Sequence, residues 1–240
     1  EGGRSRRLAG TLMLLAAMLG CGLLGVIIEW FAYRPLREAP RIAPLISALG
    51  VSFFLQNAVL LIMGARYRTY QTGLLIPRGA TVSVLGATIS VTRILVMIVA
   101  ILLMLALHYL VRRTRLGKAM RATAQDREAA AMMGIDVDRI IVVTFFIGSA
   151  LGGAAGVLVG LLFTQVYHFM GFTAGLKGFT AAVIGGIGNI PGAMVGGLLL
   201  GIIESIGVGF ISPRYKDLIA FGVLILLLLV RPRGLLGIMV

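Results

Sequence analysis

Hydrophobic residues gather in long blocks along this chain, separated by short polar stretches, and the block lengths predict helices that cross a bilayer. Residues 8–28, 42–64, 92–111, 140–163 and 218–230 are dominated by Leu, Ile, Val, Ala, Phe and Met. The longer blocks match the roughly 20 residues that a helix needs to cover ~30 Å of hydrocarbon. A sixth block, 179–205, is equally apolar but holds seven glycines, at 185, 186, 188, 192, 196, 197 and 201, with Asn189 and Pro191 at its centre. That run is expected to break at membrane depth, where irregular backbone is tolerated only when buried in protein or lining a watery cavity. The predicted class is an all-α integral membrane protein: a polytopic helical bundle with a broken, re-entrant Gly-rich segment and a cytosolic helix, in one transmembrane domain.

The polar island 112–139 is the place where this chain meets water. It holds seven basic residues (Arg112, Arg113, Arg115, Lys118, Arg121, Arg127, Arg139) against four acids (Asp126, Glu128, Asp136, Asp138), and Lys/Arg-rich loops beside spans stay in the cytoplasm. Between Gly117 and Gly134 runs an Ala- and Met-rich stretch without Gly or Pro, which predicts one helix from about residue 118 to 133 with a breaker at each end. The block 140–163 then leaves the cytoplasm, while 218–230 leads into Arg231 and Arg233, which belong inside. The piece between must begin and end outside, as a re-entrant pair does and one simple crossing does not. The first block is flanked by Arg4, Arg6 and Arg7 on one side and Arg34, Arg37 and Arg41 on the other, so charge leaves its orientation open.

Smaller patterns refine this plan. Trp30, Tyr33 and Arg34 form an interfacial belt in a connector kept irregular by prolines 35, 40 and 44. Ser47, Gln56 and Asn57 lie within the second block, and such side chains bond across helices or line a pathway. Residues 81–91 alternate around Leu85 and Gly86 and predict a hairpin. Tyr67, Tyr70, Arg66, Arg68 and Arg78 in the same excursion are candidates for an external partner. Gly148, Gly152, Gly156 and Gly160 recur every fourth residue, a groove that predicts close helix packing. Glu204 closes the broken block, with Lys177, Arg214 or Lys216 as possible counter-ions, and is a candidate for a structural ion pair or for the pathway.

Composition narrows the function. The 240 residues are 59% hydrophobic and 13% charged with a mean hydropathy of +1.01, against about 25% charged in soluble domains. A net charge of +13 is spread over short loops, so positive-inside topology and anionic lipid headgroups account for it without nucleic acid. Cys21 is the single cysteine, which excludes an intrachain disulfide. No Walker phosphate loop occurs, and Gly186-Ile187-Gly188-Asn189-Ile190-Pro191 lacks the third glycine and the preceding strand of a dinucleotide fingerprint. His108 and His168 stand alone at block ends, no Gly-x-Ser-Gly surrounds Ser149, and no zinc-ligand spacing is present. No cofactor and no enzymatic activity are expected.

Glu128, Ala129 and Ala130, followed three residues later by Gly134, match the EAA-xxx-G core with which permeases of bacterial ABC importers dock their ATPases. The wider wording from Thr114 to Ile140, and the stretches 171–205 and 215–237, resemble Liv-type branched-chain amino acid permeases, in particular their H-type subunit. The likeness runs from about residue 29 to 237. It departs from the general loop at Thr144-Phe145-Phe146-Ile147, where the Ile-x-Leu-Pro tail is missing. The family's further N-terminal spans, with an Asn-Phe-Ala-His-Gly stretch, are absent as well, so the chain is expected to be truncated or to take those helices from elsewhere. The resemblance implies a bacterial inner-membrane permease subunit partnered by cytosolic ATPases, a second related permease and a periplasmic or extracellular amino-acid-binding protein. It assigns Gly117, Arg121, Asp126, Glu128, Ala129, Ala130 and Gly134 to ATPase coupling, and makes Ser47, Asn57, Gly188, Asn189, Pro191 and Glu204 candidates for the path or the helix break. The alternative, a secondary transporter or channel subunit, leaves the EAA-type helix unexplained.

Overall fold

The computed structural model describes residues 2–37, 39–40, 42–69, 81–84, 87–210, 212–231 and 234–235, with side chains described except at 2–9, 45, 81–84 and 87. Arg41, Tyr70, Arg78, Leu85, Gly86 and Arg233, named above, lie outside the described residues, as do the side chains of Arg4, Arg6 and Arg7. The protein is mostly helical, and among the described residues five helices are long and apolar enough to cross a membrane: Gly10–Leu36, Ile42–Met63, Val91–Arg113, Val137–Phe163 and Ile190–Phe210. Contacts divide the chain into two units, Glu1–Phe169 and Met170–Val240.

In the first unit, α1 (Gly2–Ile28) runs into a π-helical turn (Glu29–Tyr33) and a 3₁₀ turn (Arg34–Leu36) before α2 (Ile42–Met63). Then come β1 (Arg68–Thr69), the β2–β3 hairpin (Thr81–Val84, Ala87–Ser90), α3 (Val91–Arg113), α4 (Arg115–Gln125), α5 (Arg127–Met132), α6 (Val137–Phe163) and β4 (Gln165–Val166). The hairpin pairs antiparallel with Val84 opposite Ala87, as the alternation predicted. The pairing of β1 with β4 was not anticipated, because two-residue strands leave no periodic trace.

Helices α1 and α6 form the packed heart of this unit. The buried positions of α6, Ala150, Gly153, Ala154, Val157, Leu158, Gly160 and Leu161, fall at the three- and four-residue steps of one helical face. A Cβ added at Gly153 would lie 2.6 Å from Ala17 O, and one at Gly22 would lie 2.6 Å from the Phe146 ring. As the α1 contact moves back from Gly22 to Ala17, the α6 contact advances from Phe146 to Gly153, so the two helices are antiparallel. The end of α1 therefore lies on the same side as the start of α6 and the polar loop before it. The every-fourth-residue series is not what seats α1: nothing lies within 4 Å of a Cβ built at Gly148, Gly152 or Gly156. Those three are exposed and only Gly160 is buried, because the face turned to α1 is the neighbouring one.

The second unit holds α7 (Met170–Gly185), α8 (Ile190–Phe210), a 3₁₀ turn (Pro213–Tyr215) and α9 (Lys216–Val230). Its core is Ile184, Leu200 and Ala220, packed against Ala181, Val223 and Leu227. Glycine lets α7 and α8 touch backbone to backbone: a Cβ at Gly192 would lie 2.5 Å from Gly185 O, and one at Gly196 would lie 2.7 Å from Gly185 N. Leu235 N returns to donate to Ile184 O at 2.8 Å.

Candidate functional site

The loop between α3 and α6 is built from four local stops. Thr114 caps α4, its Oγ1 accepting from Gly117 N at 3.1 Å and donating to Leu110 O at 2.5 Å. Gly117 is buried where the chain doubles back on α3, and a Cβ there would collide with the Leu110 and Val111 carbonyls. The single helix expected from 118 to 133 is two helices. Asp126 takes an extended conformation (φ −151°, ψ 118°) and its Oδ1 accepts from Glu128 N at 2.9 Å and Ala129 N at 3.1 Å. The N-cap preference of aspartate prevails over the helix propensity of the alanines around it. Gly134, at φ +80°, stops α5: Ile135 N donates to Ala130 O and Gly134 N to Ala131 O, a Schellman motif that requires a left-handed residue there. Asp136 Oδ1 then accepts from Arg139 N at 3.0 Å to start α6.

These caps hold α5 as a short knob. Ala130 is buried, whereas Arg121, Asp126, Glu128 and Ala129 are exposed. Met132 and Met133 are 86% and 83% exposed, although they lie outside every apolar span. At the foot of the knob, a cleft of about 660 Å³ is lined by Tyr33, Arg37, Thr123, Arg127, Ile140 and Phe145 among others. Beside it lies a charged cluster that sequence reasoning missed. Glu29 is fully buried and accepts from Arg37 Nη2. Arg37 Nη1 donates to Asp138 Oδ1, and Arg34 Nη2 stands 3.8 Å from Asp138 Oδ2. A lone glutamate at the end of an apolar block was the available signal; its partners were not.

In the second unit the break falls at 186–189. Gly186 and Gly188 take φ +104° and +92°, a region open to glycine. Asn189 Oδ1 accepts from Gly192 N at 3.3 Å, and Pro191 sits in the first turn of α8, where its missing N–H costs nothing. Glu204, on α8, is 8% exposed. Lys177 Nζ of α7 lies 2.9 Å from its Oε1 and 2.8 Å from Asp217 Oδ1 of α9, while Lys216 Nζ lies 3.5 Å from Glu204 Oε2. Two of the three suggested counter-ions are therefore in place. Three helices meet around one lysine.

The polar residues of α2 are satisfied close to home. Asn57 Nδ2 donates to Phe53 O at 2.8 Å, Gln56 Nε2 to Ser52 Oγ at 3.0 Å, and Ser47 Oγ to Ala32 O at 3.4 Å. The bonds of Gln56 and Asn57 run one turn back along their own helix. Asn57 is nevertheless exposed, and Gln56 is half-buried.

The family described as branched-chain amino acid transport system / permease component matches residues 7–228. The chain is 46% identical to the high-affinity branched-chain amino acid transport system permease protein BraD of Pseudomonas aeruginosa, over 94% of this chain and 75% of that protein. It is 43% identical to the corresponding permease protein LivH of Escherichia coli, over 95% of this chain and 76% of that protein. No solved structure matches.

Proposed function

The chain belongs to the family of permease components of branched-chain amino acid transport systems, and from that membership we propose that it imports aliphatic amino acids driven by ATPase subunits on other chains. The observation that carries this reading is the α4–α5 knob, capped at Thr114, Asp126, Gly134 and Asp136 and presenting Met132 and Met133 to water. An exposed apolar pair on a rigid polar loop fits a cleft on a cytosolic partner, since docking buries what a free loop leaves wet. Gly117 and Gly134 set the direction of the knob, Arg121 and Glu128 offer charge at its rim, and Ala129 and Ala130 keep α5 slim.

With the loop cytosolic, α1 and α3 run inward and α2 and α6 run outward. The α7–α8 pair is a re-entrant element whose break at Gly188, Asn189 and Pro191 faces the path, with Glu204 at its outer end. Discontinuous helices of this kind place backbone groups beside a substrate. Ser47 and Asn57 mark the polar side of α2. The exposed series Gly148, Gly152 and Gly156 is a face for a second permease subunit, because small residues let helix backbones approach. A binding protein outside the membrane delivers the amino acid, and a wall of Ala, Val, Ile and Gly passes an aliphatic side chain without holding it.

The test is co-purification from bacterial membranes with the ATPase subunits, comparing the native chain with the double substitution Met132→Glu and Met133→Glu. The expected result is loss of most of the ATPase with membrane insertion unchanged. Full retention of the ATPase by the substituted chain defeats the docking role of the knob.

A further inference from the structure

Ala17, Cys21, Gly25 and Glu29 recur every fourth residue along α1 and its π turn, and this stripe is turned to α6. Its first members are small: Gly153 comes within 2.6 Å of Ala17 O and 2.9 Å of Cys21 Cβ when given a Cβ, and Gly25 is blocked by Ser149 in the same way. Its last member is a carboxylate with no exposure, and a buried charge is costly unless paired. The π and 3₁₀ turns that follow carry the chain back so that Arg37, eight residues on, meets Glu29 with one terminal nitrogen. The other terminal nitrogen reaches Asp138 in the first turn of α6. Asp138 lies two residues after the Asp136 cap and four after the Gly134 stop. The end of the knob, the cap of α6 and the outer contact of Arg37 are thus compressed into five residues.

We infer that Glu29, Arg37 and Asp138 form a positioning latch, which carries displacement of the α4–α5 knob into α1 by holding the end of that helix to the first turn of α6. The inference rests on the reading of the knob as the ATPase-docking element. Stability alone does not explain the cluster. The Asp138 side chain is 60% exposed, and exposed pairs contribute little; a buried pair such as Glu29 with Arg37 is often matched by apolar residues of similar volume. Glu29 Oε2 and Arg37 Nε are also buried without a hydrogen-bond partner among the described residues, so the cluster is not optimised for one arrangement. A planar guanidinium is suited to grip two carboxylates on two elements at once, which a lysine ammonium does less rigidly. Around Ala17, Cys21, Gly25 and Gly153 the contact between α1 and α6 runs through short side chains, which interlock little. The latch supplies a fixed point at the end of that stretch.

The experiment uses the complete importer in proteoliposomes, with its ATPase subunits, its binding protein and radiolabelled leucine, and compares the native chain with Asp138→Asn, Asp138→Glu and Arg37→Lys. ATPase retention, ATP hydrolysis and leucine taken up per ATP are measured together. Asp138→Asn and Arg37→Lys should keep the ATPase and hydrolyse ATP, while leucine per ATP falls about fivefold or more, the lower end of coupling between sites. Asp138→Glu, which retains the carboxylate, should restore most of the ratio. An unchanged ratio in both Asp138→Asn and Arg37→Lys overturns the latch. So does loss of the ATPase from Asp138→Asn, which would make Asp138 part of the docking surface. Failure of the native chain to retain ATPase strikes instead at the docking reading.

Discussion

Two adjacent glycines of α6 should respond oppositely to the same methyl group. At Gly153 a Cβ would lie 2.6 Å from Ala17 O, 2.9 Å from Cys21 Cβ and 3.0 Å from Cys21 Sγ, whereas comfortable contact between heavy atoms is about 3.5–4.0 Å. One obstacle is main chain, so α1 itself must retreat by roughly 1 Å, and a gap of that size forfeits about a quarter to a half of the dispersion energy along the opened interface. Overpacking of this kind costs about 1–3 kcal/mol. At Gly152 nothing lies within 4 Å, and alanine is favoured over glycine in a helix by about 1 kcal/mol. That propensity gain is common to both positions and cancels in the comparison, leaving Gly153→Ala about 1–3 kcal/mol less stable than Gly152→Ala. Thermal unfolding of the purified chain in detergent reads this directly, since each kcal/mol moves Tm by about 2–4 °C at this chain length. Equal melting of the two variants, or a lower Tm for Gly152→Ala, would refute the assignment of the α1 contact to the Gly153 face.

Two further outcomes follow from the caps and the charge cluster. Gly134→Ala places a side chain at φ +80° for about 1–2 kcal/mol, so uptake in membrane vesicles should fall while inserted protein stays constant, with Gly134→Asn milder; equal loss in both would argue against the backbone explanation. Lys177→Met leaves Glu204, with 10% of its side chain exposed, facing only Lys216 at 3.5 Å among the described residues. Breaking a buried pair costs about 3–5 kcal/mol, and the double variant with Glu204→Leu should regain most of the lost Tm; no regain would show that the lysine acts through Asp217 instead.

Much of this protein is legible without a structure, because lipid imposes a local rule. A continuous apolar helix must be about 20 residues long to cross, so the long blocks could be read one at a time and four became α1, α2, α3 and α6. The break in the Gly-rich run was legible for the same reason: Gly186, Gly188 and Asn189 are neighbours and interrupt the helix by their own backbone preferences. Gly134 announced the end of α5. Asp126 carried an N-cap signal of equal quality, but the alanines on either side hid it, and one helix was expected where two exist.

What tertiary structure alone decided involves residues brought together from distant parts of the chain. A glycine every fourth residue says that a helix has a slim face, not which face another helix will choose; α1 chose the side of Gly153 and left Gly148, Gly152 and Gly156 open. Arg37 meets Asp138 across 101 residues, and Lys177 finds Glu204 and Asp217 on two other helices. The physical reason is the difference in range. Capping and spanning are settled within a few turns of backbone, whereas the partner of a buried charge or of a bare glycine depends on where the chain returns.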